Sequence, residues 1–416
     1  HALNSKLLPS MLSKTAATQI PSFARGLSKA AASRSVPNTR NGLKDAERVV
    51  VKVGTAVVSN KNGTLALSRM GALVEQIKAL RQEGREVLLV SSGAVGIGRH
   101  RLGLSKEAVS DPKNVVDRQA CAAAGQGILI NQYNSLFNSL GLKAAQVLIT
   151  QQDFTDPTKY GYLVSTLEKL ASMGTIPIIN ENDVVTGGAQ LDVDEHCCFS
   201  DNDMLSALVA SGASADAVAM LTDVDAVFTK PPGEAGSERI SVYTEEQGRV
   251  QIGEKSSMGR GGMASKIEAA GVAAQGGVSA VVANGFDIDN VQRIFAGDDV
   301  GTLFPANERP SALQNWLAQA AKPAGRVTVK DSAVARLLRD REAVKQLQLM
   351  DIVSVDGQFG AASPVSLQCT QGKLFGKGVV QVDSQDMAER LGQQLWSLDS
   401  RVMSSADMVL TRAAAH

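Results

Sequence analysis

Residues 48–56 read Arg48-Val49-Val50-Val51-Lys52-Val53-Gly54-Thr55-Ala56, an apolar run of strand length that sets one lysine among four valines and ends on a glycine. A short Val-rich run without polar alternation is expected of a strand covered on both faces. Outward from it, five runs of the same kind occur at 86–91, 144–149, 175–179, 216–221 and 278–283. Amphipathic stretches at 66–83, 115–139, 160–173, 204–211 and 263–275 alternate with them; in the first, Leu67, Met70, Leu73, Val74, Ile77 and Leu80 recur at helical spacing. The alternation predicts an α/β fold, a mainly parallel sheet covered by helices with right-handed crossovers. Such sheets bind ligands outside the carboxyl ends of their strands, so the polar residues following each run are the candidates for function.

The 416 residues suggest two or three domains. Hydrophobic residues at 44% against 20% charged exclude collagen-like and wholly disordered chains. Lys+Arg and Asp+Glu are both 42, which leaves no general attraction to nucleic acid or membrane. No apolar run is long enough for a spanning helix. Cys121, Cys197, Cys198 and Cys369 are too few and scattered for a disulfide scaffold, which favours a reducing compartment.

Residues 1–44 hold Lys6, Lys14, Arg25, Lys29, Arg34, Arg40 and Lys44, no acid, and many Ser, Ala and Thr. That composition predicts a transit peptide for mitochondrion or plastid, outside the folded domain, with Met11 as its start; a disordered tail on a cytoplasmic protein is the alternative. The first domain is expected at 45–305 and a linker with a short helix around Trp316 at 306–323. A small, mainly β domain follows at 324–416, from β runs at 326–329, 352–355, 365–369 and 378–382 between turn signals such as Asp356-Gly357 and Gln371-Gly372.

Polar motifs follow the strands in order. Lys52-Val53-Gly54-Thr55 offers a positive charge and a glycine that lets backbone approach a phosphate. Ser91-Ser92-Gly93-Ala94-Val95-Gly96-Ile97-Gly98 is a glycine-rich turn opening a helix, either an anion site or an ordinary turn. Asn180-Glu181-Asn182-Asp183 and Ser200-Asp201-Asn202-Asp203 are acid-rich clusters that could hold Mg²⁺, receive a substrate amino group or fix lysines, with Asp201 or Asp203 capping a helix. Leu221-Thr222-Asp223 could be a nucleotide loop, and Gly259-Arg260-Gly261-Gly262-Met263-Ala264-Ser265-Lys266 suits phosphate without matching a dinucleotide fingerprint or a P-loop. His196-Cys197-Cys198 lacks the spacing of a zinc site.

Six such motifs in this order resemble the amino acid kinase family, in its glutamate-phosphorylating branch, from about Arg48 to Gly301-Thr302-Leu303-Phe304. Lys-Val-Gly-Thr and Gly-Arg-Gly-Gly-Met are similar to the kinase half of eukaryotic pyrroline-5-carboxylate synthases, although the chain is too short to continue into their reductase. The tail resembles the PUA domain, an RNA-modification-enzyme module, through Gly325-Arg326-Val327-Thr328-Val329, Val355-Asp356-Gly357-Gln358-Phe359 and Gly376-Lys377-Gly378-Val379.

The resemblance implies a three-layer αβα sandwich with an eight-stranded sheet, and ATP-dependent phosphorylation of the γ-carboxylate of L-glutamate, the first step of proline synthesis. It implies that Lys52 and Lys266 neutralise the transferred phosphoryl group while Asp203 holds them. Gly54, Arg260, Gly261, Gly262, Met263, Ala264 and Ser265 would line the ATP phosphates together with both lysines. Thr222 and Asp223 would sit by the nucleotide, and Ser92, Asp183 and Asn202 would bind glutamate. Mg²⁺ would arrive with ATP and keep most of its waters. Expected partners are a glutamyl-phosphate reductase that takes the product, further copies of the chain, and proline as feedback inhibitor. The last is set in doubt by the long segment 184–199 with Asp192, Asp194 and Glu195. The alternatives are another family member acting on acetylglutamate, aspartate, carbamate or UMP, a catalytically dead regulator, or an RNA binder. RNA binding is disfavoured by eleven bases against ten acids in 324–416.

Overall fold

The computed structural model describes residues 36–111, 114–186, 199, 201–244, 262–340, 344–393 and 401–410. They form two compact units, divided between Asn315 and Trp316 within the helix Ala312–Gln319.

The first unit is built on one sheet. Its strands are β1 (Arg48–Val53), β2 (Glu86–Ser91), β3 (Lys143–Ile149), β4 (Thr175–Glu181), β5 (Ala217–Thr222), β6 (Ser279–Asn284) and β7 (Thr302–Phe304), in the order β3-β4-β2-β1-β5-β6-β7. All pairs are parallel except β6 with β7. β1 therefore lies at the switch point, with β2 on one side and β5 on the other. The carboxyl ends of β1, β2, β4 and β5 share one edge of the sheet.

The pleat divides β1 between two helical layers. Val49, Val51 and Val53 join one core with Leu73, Val74 and Ile77 of α1 (Leu67–Gln82) and Leu129, Tyr133 and Phe137 of the long helix Val115–Ser139. Val50 and Lys52 point the other way, toward the helices Asn202–Gly212 and Met263–Gln275. The result is an αβα sandwich. β1 and β5 are buried at every position, as their Val-rich sequences require. β3 is half exposed because it is the sheet edge.

Two details differ from the sequence reading. β4 runs through Glu181, so Asn180 and Glu181 lie in the strand and not after it. Among the described residues the sheet has seven strands and not eight. A further position exists on the far side of β7, where Val242 makes a single parallel bridge with Leu303 and Tyr243 donates its N–H to the Leu303 carbonyl. Tyr243 also stacks on Phe304 with ring centres 4.6 Å apart.

The second unit holds a five-stranded sheet and a two-stranded one. β8 (Arg326–Val329), β10 (Ile352–Asp356), β11 (Pro364–Gln368), β12 (Leu374–Val379) and β14 (Met408–Leu410) form the order β10-β8-β11-β12-β14, and β9 (Gln346–Gln348) pairs with β13 (Arg401–Ser404). Val327, Val329, Val365, Leu367, Phe375 and Met403 pack its core. The helices Asp331–Arg339 and Ser384–Gly392, and the strands β9, β13 and β14, go beyond the four β runs expected. No described helix is long and apolar enough to cross a membrane.

A leader ending at residue 44 overruns into the fold, which already includes Pro37, Arg40 and Leu43. Leu43 is fully buried in the main core. Arg40 donates to the backbone carbonyls of Ser241 (2.7 Å), Gly301 (2.9 Å) and Val300, and pairs with Asp299 at 3.2 Å. Ser279 donates to the Pro37 carbonyl. The absence of acid around Arg40 suggested a leader, but its two terminal amino groups are bound by carbonyls and a carboxylate far away in sequence. A protein beginning at Asp45 is therefore expected to be less stable than one beginning at Val36 by about 3–5 kcal/mol, from lost burial of Leu43 and lost Arg40 hydrogen bonds. Urea unfolding of the two forms measures the difference.

Candidate active site

The carboxyl edge of the sheet carries two polar groups. The first is a clamp. Lys52, next to last in β1, donates to Asp203 Oδ1 at 2.5 Å. Lys266, on α2 (Met263–Gln275), donates to the other oxygen, Oδ2, at 3.0 Å. Asp203 stands in the first turn of α3 (Asn202–Gly212), and that turn is fixed by Asp201, whose side chain accepts the N–H groups of Asp203 and Met204 at 3.0 Å each. Capping thus falls to Asp201, which frees the Asp203 carboxylate for the lysines.

All three clamp side chains are largely buried: Lys52 and Asp203 are each 3% exposed and Lys266 is 8%. Burial alone would raise the Asp203 carboxyl, but the adjacent Lys52 and Lys266 charges and hydrogen bonds outweigh it and hold it below the ordinary range. Two ammonium groups on one carboxylate leave a buried excess of one positive charge, which a purely structural ion pair would not need. Each ammonium has three N–H donors and spends one on Asp203. The clamp is thus built to receive an anion.

Gly54 lies beside it. Its N–H is taken by the Leu221 carbonyl at 3.1 Å, so its use is space and not donation. A Cβ there would stand 3.8 Å from Lys52 Nζ, in the approach to the ammonium. Gly262 caps α2 without a side chain, and Met263, Ala264 and Ser265 form its first turn, partly or fully open to solvent. Thr222, at the end of β5, donates to Asp223 at 3.0 Å. Arg260, Gly261, His196, Cys197, Cys198, Asp192, Asp194 and Glu195 lie outside the described residues, as does most of the 184–199 segment on which inhibition by proline was argued.

The second group is a hydrogen-bond network. Asn202 donates through Nδ2 to Ser92 Oγ and to Asn180 Oδ1, both at 2.9 Å. Asn180 donates in turn to Gln126 at 2.9 Å. Since Asn202 and Asp203 are neighbours, this network adjoins the clamp. At its far end Arg118 pairs with Asp183 at 3.5 Å, and Thr186 donates to Glu181 at 2.8 Å. Burial, then the neighbouring Asp183 charge, pushes the Glu181 carboxyl up to about 7. Burial also raises Asp183, against the pull of Arg118.

The fold brings Lys52, Asp203 and Lys266 together and joins Ser92 to Asn202, and Asp183 stands beyond them. Arg118 and Gln126 were missed. They sit on α4 (Val115–Ser139), distant in sequence from the end of any strand. Their signal was weak but present: positions 118, 122 and 126 recur every four residues, one face of a helix, and Ala122 and Gln126 line a small cavity with Glu181 and Asp183.

The glycine-rich turn after β2 serves two purposes. Gly93 adopts a left-handed conformation (φ 113°), and a Cβ there would lie 2.6 Å from Val58. Gly98 belongs to helix packing: a Cβ would fall 1.8 Å from the Cys121 carbonyl oxygen on α4.

Residues 47–284 match the sequence model of the amino acid kinase family. The chain belongs to the amino acid kinase family. A glutamate 5-kinase of Bifidobacterium adolescentis is 40% identical over 364 residues, 86% of this chain and 92% of that protein. A glutamate 5-kinase of Cyanothece sp. is 39% identical over 354 residues, 84% of this chain and 93% of that protein. Delta-1-pyrroline-5-carboxylate synthase 2 of Oryza sativa subsp. japonica is 43% identical over 290 residues, 67% of this chain but 40% of that protein. Membership makes the chain a kinase and implies ATP as its phosphoryl donor.

Two outcomes are expected. Gly98→Ala forces two helices apart and destabilises the protein by about 3 kcal/mol or more, read by chemical denaturation. Glu181 has a folded pKa near 7 against an ordinary 4.5, so the folded state binds the extra proton between these values. Its contribution therefore lowers stability as pH rises from about 4.5 to 7. Glu181→Gln should flatten that part of the stability–pH curve and stabilise the protein above pH 7.

Proposed function

We propose that this chain transfers the γ-phosphoryl group of ATP to the γ-carboxylate of L-glutamate. The observation that carries the reading is the buried Lys52–Asp203–Lys266 clamp, with its excess positive charge, on the carboxyl edge of the sheet of an amino acid kinase. Two full-length relatives named glutamate 5-kinase support the choice of substrate.

The chemistry matches the residues present. A γ-carboxylate oxygen attacks the terminal phosphorus; the new O–P bond forms as the bond to the leaving ADP oxygen breaks. The nucleophile is already an anion, so no general base is required, and no histidine is needed at the clamp. The difficulty is the gathering of negative charge, which preorganised cations relieve. Lys52 and Lys266 approach from a strand and a helix on either side of Asp203 and present their spare donors to the transferred group. Asp203 acts through them and does not touch the phosphoryl group. Gly54, Gly262, Met263, Ala264 and Ser265, with Arg260 and Gly261, would line the phosphates, and Thr222 and Asp223 the nucleotide. Ser92, Asn202 and Asp183 would bind glutamate.

Among the described residues no cluster of three or more acidic, His or Cys side chains could hold a metal, and Asp203 is occupied on both oxygens. A Mg²⁺ ion arriving with ATP would keep most of its waters and would supply further charge neutralisation.

The acyl phosphate product is short-lived in water, which supports direct use by a reductase. The acid-free leader supports import into a plastid or mitochondrion. The second unit, read as PUA-like, is assigned a structural or regulatory role, and oligomerisation and proline inhibition remain part of the proposal.

Hydroxylamine traps acyl phosphates as coloured hydroxamates. With ATP and Mg²⁺, hydroxamate is expected from L-glutamate and not from N-acetylglutamate or L-aspartate. Lys266→Ala should lower the rate on the order of 10²–10³-fold. No hydroxamate from any of the three sinks the assignment.

A further inference from the structure

We infer that Arg118 is a substrate-binding residue that takes the α-carboxylate of the amino acid while Asp183 takes its α-ammonium. The inference rests on the glutamate reading above and adds the residue that selects a free α-carboxylate.

Arg118 occupies the first turn of α4 and is largely buried; its side chain is 18% exposed. A guanidinium in such a place normally spends its five N–H donors on nearby acceptors. This one does not. Its contact with Asp183 Oδ1 is 3.5 Å, longer than a good hydrogen bond, and its Nε is buried with no acceptor. A counter-ion serving only to neutralise Asp183 would be expected to close to bidentate distance, as Arg48 does more nearly with Glu86 at 2.7 Å. Arg118 instead stands off with its planar fork under-used.

Its place in the network fits one end of an amino acid. The reacting γ-carboxylate belongs at the Lys52–Asp203–Lys266 clamp. Asn202, next to Asp203, links through Ser92 and Asn180 toward Glu181, Asp183 and Arg118. The far end of the site therefore offers carboxylates and a guanidinium side by side, the mirror image of an α-ammonium and an α-carboxylate on one carbon. A substrate with an ammonium but no α-carboxylate would satisfy Asp183 and leave the guanidinium buried and unmatched, which is costly.

The test compares L-glutamate with L-isoglutamine, whose α-carboxylate is an amide while its γ-carboxylate and α-ammonium are intact. Hydroxamate formation is followed in the full chain and in Arg118→Gln and Arg118→Lys, with thermal unfolding to establish folding. The unaltered protein should favour L-glutamate in kcat/KM on the order of 10²-fold. In Arg118→Gln that preference should fall to within about threefold, through KM for L-glutamate more than through kcat. Arg118→Lys should restore part of the preference, and it carries the test if the glutamine variant does not fold. Equal losses for both substrates, with the preference unchanged, would show a counter-ion for Asp183 and Glu181 and overturn the inference while the kinase reading stands. Absence of hydroxamate from L-glutamate in the unaltered protein would remove the kinase reading, and this inference with it.

Discussion

Burying an ammonium ion is expensive, and this fold buries two against a single carboxylate. Burial would raise the Asp203 carboxyl, and the two lysines beside it more than offset that. The arrangement requires a strand, the first turn of one helix and the first turn of another to arrive at one point. β1 contributes Lys52 on the face opposite the main valine core, and two helices packed on that face contribute the other two members. The parallel sheet, with β1 at its switch point, makes that convergence possible.

From the clamp the site extends in one direction through side-chain amides. Asn202 is the hinge of this extension, because its backbone neighbour is Asp203 and its own amide reaches Ser92 and Asn180. Positive charge gathers at one end and acids with one arginine at the other. The proposed substrate, with a reactive carboxylate at one end and a zwitterionic centre at the other, would lie along this axis. The family relationship and the internal charge distribution both support the proposed chemistry.

Much of this could be read from the chain. Four valines around Lys52 imply a doubly covered strand whatever the rest of the molecule does. The long amphipathic stretches 115–139 and 263–275 are the helices Val115–Ser139 and Met263–Gln275, because Ala, Leu and Ile recur there at helical spacing over several turns. The readings that missed did so where local composition was overruled by distant contacts. Arg40 and Leu43 sit in a segment with leader-like composition, yet Arg40 is held by Ser241, Val300 and Gly301, some two hundred residues or more away, and Leu43 is buried in the main core. Asn180 and Glu181 look like loop residues, but pairing with β3 extends β4 through them.

Sequence alone determined the alternating strands and helices of the first unit and the order of the motifs, while the three residues of the clamp came from the family resemblance that those motifs carry. The elements follow from the period of apolar residues, and the motifs stand where glycine and polar residues end each run. Only the tertiary structure decided that Asp201 caps the helix while Asp203 faces the lysines, that Gly98 is there to let two helices touch, and that Arg118 stands beside Asp183. Each depends on which residues from distant parts of the chain reach the same few ångströms, and no local pattern carries that distance.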